Sequence, residues 1–347
     1  MRALRARLLL AACTASVPAL FWVAGCGGNN TQSGFGDGGS EEGGSSSGGG
    51  SGSGNGSGGT SGSGSGGSFG DSSTGSSSGG GPTLIYAHTD SELYSMDPTS
   101  HVLTDIGPFS AGGGTTPTIT DLAIDGNDDI WVNSESAIYK VTLPASGTGT
   151  VNIALQTQLP SGSKFYALGF TPAGTLESGE SLIAGDSNGN LYYIDASGAS
   201  STPQELGGFG GSWELSGDVV FYSSNGNTIG LATIRDCSSS CNTKNDSLAE
   251  IDVAAMQTAF MNKTSSAPLL KQVLGSGTGF GDLFGIGAWG NSVFAFSRAS
   301  SSGNPPAQLV QVGASGTGTS LQTFANITSG WSGAGVSTKA MITVVTQ

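Results

Sequence analysis

The feature of this chain that most constrains its fold is an internal repeat that begins after the first third of the sequence. Short runs rich in β-branched and aromatic residues alternate with turns of Gly, Asn, Asp and Ser, as in the segment 121–141. The same order of strand, turn, strand, turn and strand recurs from residues 166, 213 and 284, and a shortened copy starts at residue 331. Anchored on their first strands, the copies lie 46, 46, 72 and 48 residues apart. The anchor residues are Ala123, Gly169, Leu215, Gly287 and Gly335.

This spacing predicts an all-β fold, a β-propeller. A period in the mid-forties with three or four strands per copy is typical of a propeller blade. Residues 84–106 look like a blade without its first strand, and residues 331–345 supply a first strand without a complete blade. Joining the two ends would close the ring and protect both sheet edges. Five first strands predict five blades, and two candidate second strands in the closing blade leave six blades open.

The alignment of the copies on their first strands, here called the repeat frame, also predicts how the blades differ. Four of the five anchors are Ala or Gly, which predicts close packing of the first strands at the axis. The spacing of 72 residues between the third and fourth copies predicts a surface insertion of about 25 residues. Residues 247–250 match a helix capping box, but the frame predicts a strand over 248–252, followed by a short helix.

Two cysteines lie in the predicted insertion. Cys237 and Cys241 enclose three serines, and in an exported chain this pair predicts a disulfide that closes a short loop. A zinc site is disfavoured, because the two histidines, His88 and His101, are far from both cysteines in sequence.

One turn resembles a calcium-binding loop. Asp125, Asn127 and Asp129 fit positions 1, 3 and 5 of such a loop. Ile130 and Ser136 stand where the loop requires Gly and a bidentate Glu. A hairpin turn is therefore predicted, with weak calcium binding as the alternative.

The N-terminal residues predict export and membrane attachment. Three arginines precede the apolar run 8–24, and Cys26 follows small residues, as in a signal peptide. Residues 23–26 resemble the lipobox of bacterial lipoproteins, and this resemblance implies a lipid on the Cys26 sulfur that anchors the chain. A single transmembrane helix and secretory cleavage without lipid stay open as alternatives.

A tract made almost entirely of Gly and Ser separates Cys26 from the repeats. Such a tract cannot bury enough apolar surface to offset the entropy lost on ordering, so a disordered tether is predicted. The predicted organisation is a signal peptide over 1–25, the lipidated cysteine with its tether over 26–82, and the propeller over 83–347.

The charge of the chain excludes one class of partner. The net charge is −14, and removal of residues 1–25 leaves 8 basic and 25 acidic residues, a net charge of about −17. Phosphate backbones repel such a chain, so no nucleic-acid partner is expected. Membrane contact is expected through the lipid on Cys26. Because Gly27 stands where an inner-membrane retention signal of some bacteria has Asp, the predicted location is the cell envelope, at the outer membrane.

Several turns carry a family resemblance. Residues 125–132 and 186–192 resemble the turn-and-strand signature of NHL-like and lactonase-like propellers. Residues 167–174, 191–195 and 284–289 are similar to propeller lipoproteins of myxobacteria. The resemblance spans most of the repeats and implies the fold and the envelope location. Its lactonase-like part also implies a metal ion at the propeller axis.

The first hypothesis of function is a non-enzymatic binding module, exposed at the cell surface or in the periplasm. Its partner would be a protein or a glycan, recognised by the loops at the top of the propeller and by the insertion. Trp213, Trp289 and Trp331 are the candidate ligand-binding residues, with packing between blades as their alternative role.

The second hypothesis is a metal-dependent, lactonase-like hydrolase. Asp121, Glu214 and Asp282 lie at or near the first strands of three blades and could converge on a divalent cation. The family pattern has further polar ligands on the inner strands, where Gly169 and Gly287 offer none. This difference favours the binding module, for which neither a catalytic residue nor an organic cofactor is predicted.

Overall fold

The structure, a computed structural model, describes residues 83–160, 162, 164–239, 241, 244–265, 268–298, 306–340 and 342. The predicted signal peptide, the lipidation site Cys26 and the Gly/Ser tether lie outside the described residues, and they stay predictions. Within the described residues, no helix is long and apolar enough to cross a membrane.

The described residues form twenty β-strands and one α-helix. The first seven strands are β1 (Ile85–His88), β2 (Glu92–Met96), β3 (Leu103–Ser110), β4 (Asp121–Ile124), β5 (Ile130–Ser134), β6 (Ala137–Thr142) and β7 (Val151–Gln158). The next seven are β8 (Phe165–Thr171), β9 (Ser181–Asp186), β10 (Asn190–Ile194), β11 (Gln204–Gly208), β12 (Trp213–Ser224), β13 (Asn227–Asp236) and β14 (Ser247–Ile251). The remaining elements are α1 (Val253–Asn262), β15 (Leu270–Leu274), β16 (Leu283–Trp289), β17 (Ser292–Ser297), β18 (Gln308–Val312), β19 (Gly318–Thr323) and β20 (Gly333–Val336).

These strands form a five-bladed β-propeller. Each blade has four antiparallel strands: blade I is β20-β1-β2-β3, blade II is β4 to β7, blade III is β8 to β11, blade IV is β12 to β15, and blade V is β16 to β19. The outer strands of blades I and II, β3 and β7, also form a short parallel pair that joins these two blades. The first strands contact one another in the ring order β4, β8, β12, β16, β20 and back to β4. The predicted all-β propeller fold is confirmed.

The two ends of the described chain meet in blade I. Strand β1 pairs antiparallel with β20, with Ile85 opposite Val336 and His88 opposite Gly333. The N-terminal strand thus occupies the second position of the closing blade. The described strands therefore form five blades, and the alternative of six is not found.

The long spacing between the third and fourth copies of the repeat corresponds to blade IV. Its first two strands are extended to twelve and ten residues, and the extra length continues into the loop after β13 and into α1. Strand β14 and the helix that follows it agree with the repeat frame rather than with the capping box. Asp252 caps the helix, because its carboxylate accepts the Ala255 N–H at 2.9 Å.

Close packing at the axis explains the small residues of the first strands. A Cβ on Gly169 would lie 2.8 Å from the Val219 carbonyl oxygen of blade IV, and a Cβ on Gly335 would lie 2.8 Å from Leu122 Cδ1 of blade II. Away from the axis, the apolar core lies between neighbouring blades in four buried clusters.

Two matching hairpin turns account for the calcium-like motif. Asp125 Oδ1 accepts the N–H groups of Asn127 and Asp129 at 2.8 and 3.0 Å. Asp186 makes the same two bonds, to the N–H groups two and four residues later, each at 2.9 Å. An aspartate that bonds its own turn in this way stabilises a hairpin, so the hairpin interpretation is confirmed.

Candidate functional site

One end of the propeller axis opens into a cavity of about 750 Å³. At this end the first strand of each blade begins and the second strand ends, because the strands of a blade are antiparallel. All five blades contribute to the lining. The cavity is therefore a product of the ring and not of a single blade.

Each blade contributes a residue from the end of its second strand to this lining. The five residues are Asp90, Glu135, Ser187, Arg235 and Arg298. Sequence reasoning did not select them, because no motif surrounds them. Their shared position in the repeat is the signal that could have found them.

Arg298 forms a salt bridge at the wall of the cavity. Its Nη2 lies 2.9 Å from Asp90 Oδ2, and its guanidinium lies over the Phe284 ring at 5.9 Å from the ring centre. The Ser332 hydroxyl donates to the other oxygen of Asp90. Blades I and V are thus joined at the rim by a charge pair with an aromatic surface beside it.

Arg235 forms a more deeply buried charge cluster. Its Nη2 donates to Ser216 Oγ at 2.7 Å, its Nε lies 3.4 Å from Asp246 Oδ1, and its Nη2 lies 3.4 Å from Asp282 Oδ1. Burial raises the pKa of Asp246 to about 6, although the nearby Arg235 opposes the shift. The Leu283 N–H also donates to Asp246, at 2.9 Å. This cluster ties blade IV to blade V.

A third pairing holds the wall formed by blades II and III. Tyr166 Oη donates to Glu135 Oε1 at 2.7 Å, and Lys164 Nζ lies 2.8 Å from Glu135 Oε2. The bond from Lys164 lowers the pKa of Glu135, so this carboxyl group is ionised at neutral pH.

The predicted disulfide between Cys237 and Cys241 is present, and it lies at the rim of the cavity. Strands β12 and β13 pair with Glu214 opposite Arg235, which places Glu214 Oε2 3.5 Å from Cys241 Sγ. Because a disulfide sulfur carries no proton, this approach is a contact and not a hydrogen bond.

Next to the lining residues Thr120 and Gly217 lie two fully buried carboxyl groups, those of Asp121 and Asp218. They hydrogen-bond to each other, and burial is the main cause that raises both pKa values. Two ionised carboxylates cannot hydrogen-bond, so the pair holds a proton. Asp218 was not selected from the sequence, since its partner is 97 positions away along the chain.

His88 lies beside this pair. Its Nδ1 lies 2.7 Å from the Thr89 carbonyl oxygen, which can only accept, so Nδ1 carries the ring proton. Burial lowers the pKa of His88 to about 4, so the imidazole is neutral at neutral pH. His88 Nε2 and Asp121 Oδ1 both lie within 2.4 Å of the position that a Cβ on Gly333 would take. The neutral imidazole of His88 and the Asp121 carboxyl group thus both border the backbone of Gly333.

The three predicted metal ligands lie in different surroundings. Asp121 is in the buried acid pair, Glu214 lines the cavity, and Asp282 faces Arg235. Among the described residues, the set of three metal-ligating side chains with ligand atoms within 4.8 Å of one another is Glu214, Cys237 and Cys241. Glu214 alone of the predicted ligands belongs to it. The divalent cation on Asp121, Glu214 and Asp282 stays a prediction.

The three tryptophans lie outside the set of residues that line the cavity. Trp331 is fully buried and meets the rings of Tyr94, Phe296 and Phe324 edge-on, each at 5.4 Å between centres. Trp213 and Trp289 are half-buried and pack against the core. The Trp331 ring therefore offers no exposed surface to a ligand.

No protein-family model matches this chain, and no curated protein matches its sequence. Among solved structures, a protein of unknown function from Bacteroides caccae is 9% identical, with a match that covers 74% of this chain and 99% of that one, at a TM-score of 0.40. The Dos1 propeller is 14% identical over 67% of this chain and 61% of its own, at a TM-score of 0.34. An auxiliary nutrient binding protein from Bacteroides thetaiotaomicron is 12% identical over 69% and 54%, at a TM-score of 0.36.

The propeller assignment rests on the strand order of the five blades and not on these similarities. The resemblance to myxobacterial lipoproteins and to lactonase-like propellers stays a prediction. The described residues form a five-bladed propeller with an axial cavity that is lined by residues of all five blades.

Proposed function

We propose that this chain is a non-enzymatic binding module, tethered to the outer membrane by a lipid on Cys26, and that its ligand binds in the axial cavity. The observation that carries the proposal is the lining itself, in which every blade places a polar or charged residue from the end of its second strand. The cavity volume, about 750 Å³, lies within the range of small-molecule binding sites.

The pairing of the charges supports a neutral ligand rich in hydroxyl groups, such as a glycan of the cell surface. Arg298 is paired with Asp90, and Arg235 with Asp246 and Asp282. Paired side chains of this kind keep further donors and acceptors for hydroxyl groups, but their charges are largely compensated. The rings of Tyr166 and Phe284, which also line the cavity, supply apolar faces.

An array of neutral and acidic oligosaccharides, probed with the full chain in detergent, tests the proposal. We expect binding to neutral oligosaccharides, and we expect Asp90→Asn to weaken it about tenfold, since a hydrogen bond to a charged group contributes about 1.5–3 kcal/mol. The matched control is Asp105→Asn, the same change on an exposed position of β3, which should bind as the wild type does. Equal binding by Asp90→Asn, or no binding to any oligosaccharide, would contradict the proposal.

A second experiment on the same detergent-solubilised chain distinguishes the binding-module hypothesis from the hydrolase hypothesis. Lactones are incubated with the wild-type chain in the presence of Ca²⁺ or Zn²⁺, with Glu214→Gln as the variant. We expect no hydrolysis above the rate in buffer. Hydrolysis that depends on the metal and is lost in Glu214→Gln would overturn the non-enzymatic assignment.

A further inference from the structure

The contact between the disulfide and Glu214 brings together three groups that can bind a metal. Cys237 directly follows β13, Cys241 lies in the loop towards β14, and Glu214 lies on the neighbouring strand β12. One ligand atom from each lies within 4.8 Å of the other two. This set could not be read from the sequence, because the strand pairing supplies the third ligand.

Three short hydrogen bonds hold the start of the loop in place. The Cys237 N–H donates to the Ser212 carbonyl oxygen at 2.8 Å. The Asp236 carboxylate accepts the Ser238 N–H at 2.8 Å and the Ser212 hydroxyl at 2.7 Å. Because these bonds do not involve the sulfur atoms, they can persist when the disulfide opens, and Cys237 would stay beside Glu214.

We propose that Glu214, Cys237 and Cys241 form a site for a soft divalent metal ion, Zn²⁺ or Cd²⁺, when the disulfide is reduced. Thiolate and carboxylate oxygen are both zinc ligands, and two cysteines separated by three residues fall within the spacing of known zinc sites. Three protein ligands leave one position of a tetrahedral ion free. Glu214 and Cys241 line the axial cavity, so that position would be open to a molecule in the cavity.

The reaction that opens the site balances with a dithiol as the reductant. The S–S bond breaks, two electrons come from the dithiol, which itself becomes a disulfide, and each cysteine sulfur takes up a proton. Metal binding then releases both thiol protons to the solvent and forms two metal–sulfur bonds and one metal–oxygen bond. The strongly negative net charge of the chain, −14, favours the approach of a cation.

Cadmium titration of the full chain in detergent tests this proposal independently of the proposed glycan binding. The chain is reduced with dithiothreitol, freed of reductant without air, and titrated with Cd²⁺ while the ultraviolet thiolate-to-cadmium band is recorded. The double variant Cys237→Ser/Cys241→Ser is the matched control, because it leaves every other residue of the chain unchanged. The oxidised wild-type chain is a second control that needs no substitution.

We expect the reduced wild-type chain to bind one more Cd²⁺ than either control. Glu214→Gln should weaken that binding about tenfold or more, in line with the loss of a partner at a metal site. Equal titrations for the reduced wild type and the double variant would overturn the proposal. So would the same number of Cd²⁺ ions bound by the oxidised chain as by the reduced chain, or an unchanged affinity in Glu214→Gln.

Discussion

The carboxyl groups of Asp121 and Asp218, from the non-adjacent blades II and IV, hydrogen-bond to each other. Each also accepts a backbone N–H from the first strand of the next blade: Leu168 donates to Asp121 Oδ2 and Ile286 donates to Asp218 Oδ2, both at 2.7 Å. Asp218 Oδ1 accepts the Val219 N–H at 2.5 Å. Since both oxygens of Asp218 accept N–H groups, the shared proton belongs on Asp121. One acid pair therefore links four blades of the ring.

The acid pair predicts how stability depends on pH. Burial raises both pKa values above the value of about 3.9 for an unfolded aspartate. Above about pH 4 the folded chain thus holds a proton that the unfolded chain has released. The contribution of the pair is complete below that pH and is lost as the pH rises through the folded pKa. Each unit of raised pKa corresponds to about 1.4 kcal/mol.

Urea unfolding of the wild type and of Asp121→Asn, over a range of pH, measures this contribution. The Asn amide can replace the shared proton as a donor, and its oxygen can accept the Leu168 N–H. We expect the wild type to lose stability relative to Asp121→Asn as the pH rises above about 4. His88, whose pKa is lowered to about 4, reduces the stability of the folded chain as the pH falls below about 6.5, but this residue is present in both chains. Parallel pH profiles would contradict the shared proton.

Removal of the Asp121 carboxyl group should lower the free energy of unfolding more than its replacement by an amide. Asp121→Ala deprives the Leu168 N–H of its acceptor and Asp218 of its donor. A buried polar group left without a partner costs about 1–3 kcal/mol. We expect the free energy of unfolding, measured at pH 5, to fall by at least that amount in Asp121→Ala and to fall less in Asp121→Asn. Equal losses would show that the hydrogen bonds of the pair do not stabilise the ring.

Of the three tryptophans, Trp331 should cause the largest loss of stability when it is replaced by alanine. Its ring is fully buried and meets three aromatic rings, and removal of such a side chain costs about 3–5 kcal/mol. We expect Trp331→Ala to lower the free energy of unfolding by that amount in urea. Trp289→Ala is the control, and its cost should be smaller, because that ring is half-buried. A smaller loss at Trp331 than at Trp289 would contradict the packing role.

Gly169→Ala tests the close packing of the first strands. The added Cβ would lie 2.8 Å from the Val219 carbonyl oxygen, which belongs to the backbone and cannot turn away. Overpacking of this kind costs about 1–3 kcal/mol. The control is Gly179→Ala, since a Cβ there meets no atom within 4 Å. We expect thermal unfolding at a lower temperature for the first variant and little change for the second. Equal melting temperatures would contradict crowding at the axis.

The predicted lipid anchor is tested by Cys26→Ser. We expect this variant to leave the membrane fraction and appear in the supernatant after cell lysis, since the acylated sulfur is the predicted attachment. Cys237→Ser removes a different cysteine and should stay with the membranes. Circular dichroism of both variants should show the β-sheet spectrum of the wild type. A membrane-bound Cys26→Ser chain would contradict attachment through the lipid.

Much of the fold could be predicted from local patterns. The strand and turn pattern indicates where β4, β8, β12 and β16 begin, because alternating apolar residues and turn residues are properties of neighbours along the chain. The same pattern indicates that the chain ends complete one blade, and the pairing of β1 with β20 confirms it. Local patterns could not decide between five and six blades, since two segments fitted the position of the second strand in the closing blade.

The cavity and its chemistry depend on contacts that the sequence does not encode locally. Arg235 meets Asp282 because neighbouring blades pack side by side. Asp121 meets Asp218 because the first strands of non-adjacent blades come together at the axis, where residues far apart in sequence become neighbours. Prediction selected Asp121, Glu214 and Asp282 by their positions at strand starts, but it could not show which of them is buried, which lines the cavity and which faces an arginine.

The sequence by itself thus determined the inner strands of most blades, the turns between them, the order of the blades and the disulfide, because each depends on residues close together in the chain. It did not indicate β13, and it divided β12 into two strands, because the long hairpin of blade IV departs from the repeat. Only the tertiary structure decided the blade number, the proton shared by Asp121 and Asp218, and the meeting of Glu214 with the two cysteines. The blade number and the shared proton depend on the packing between blades, and the contact of Glu214 with the cysteines depends on the pairing of β12 with β13. In both cases the burial of remote side chains and the distance between them determine their charge and their partners.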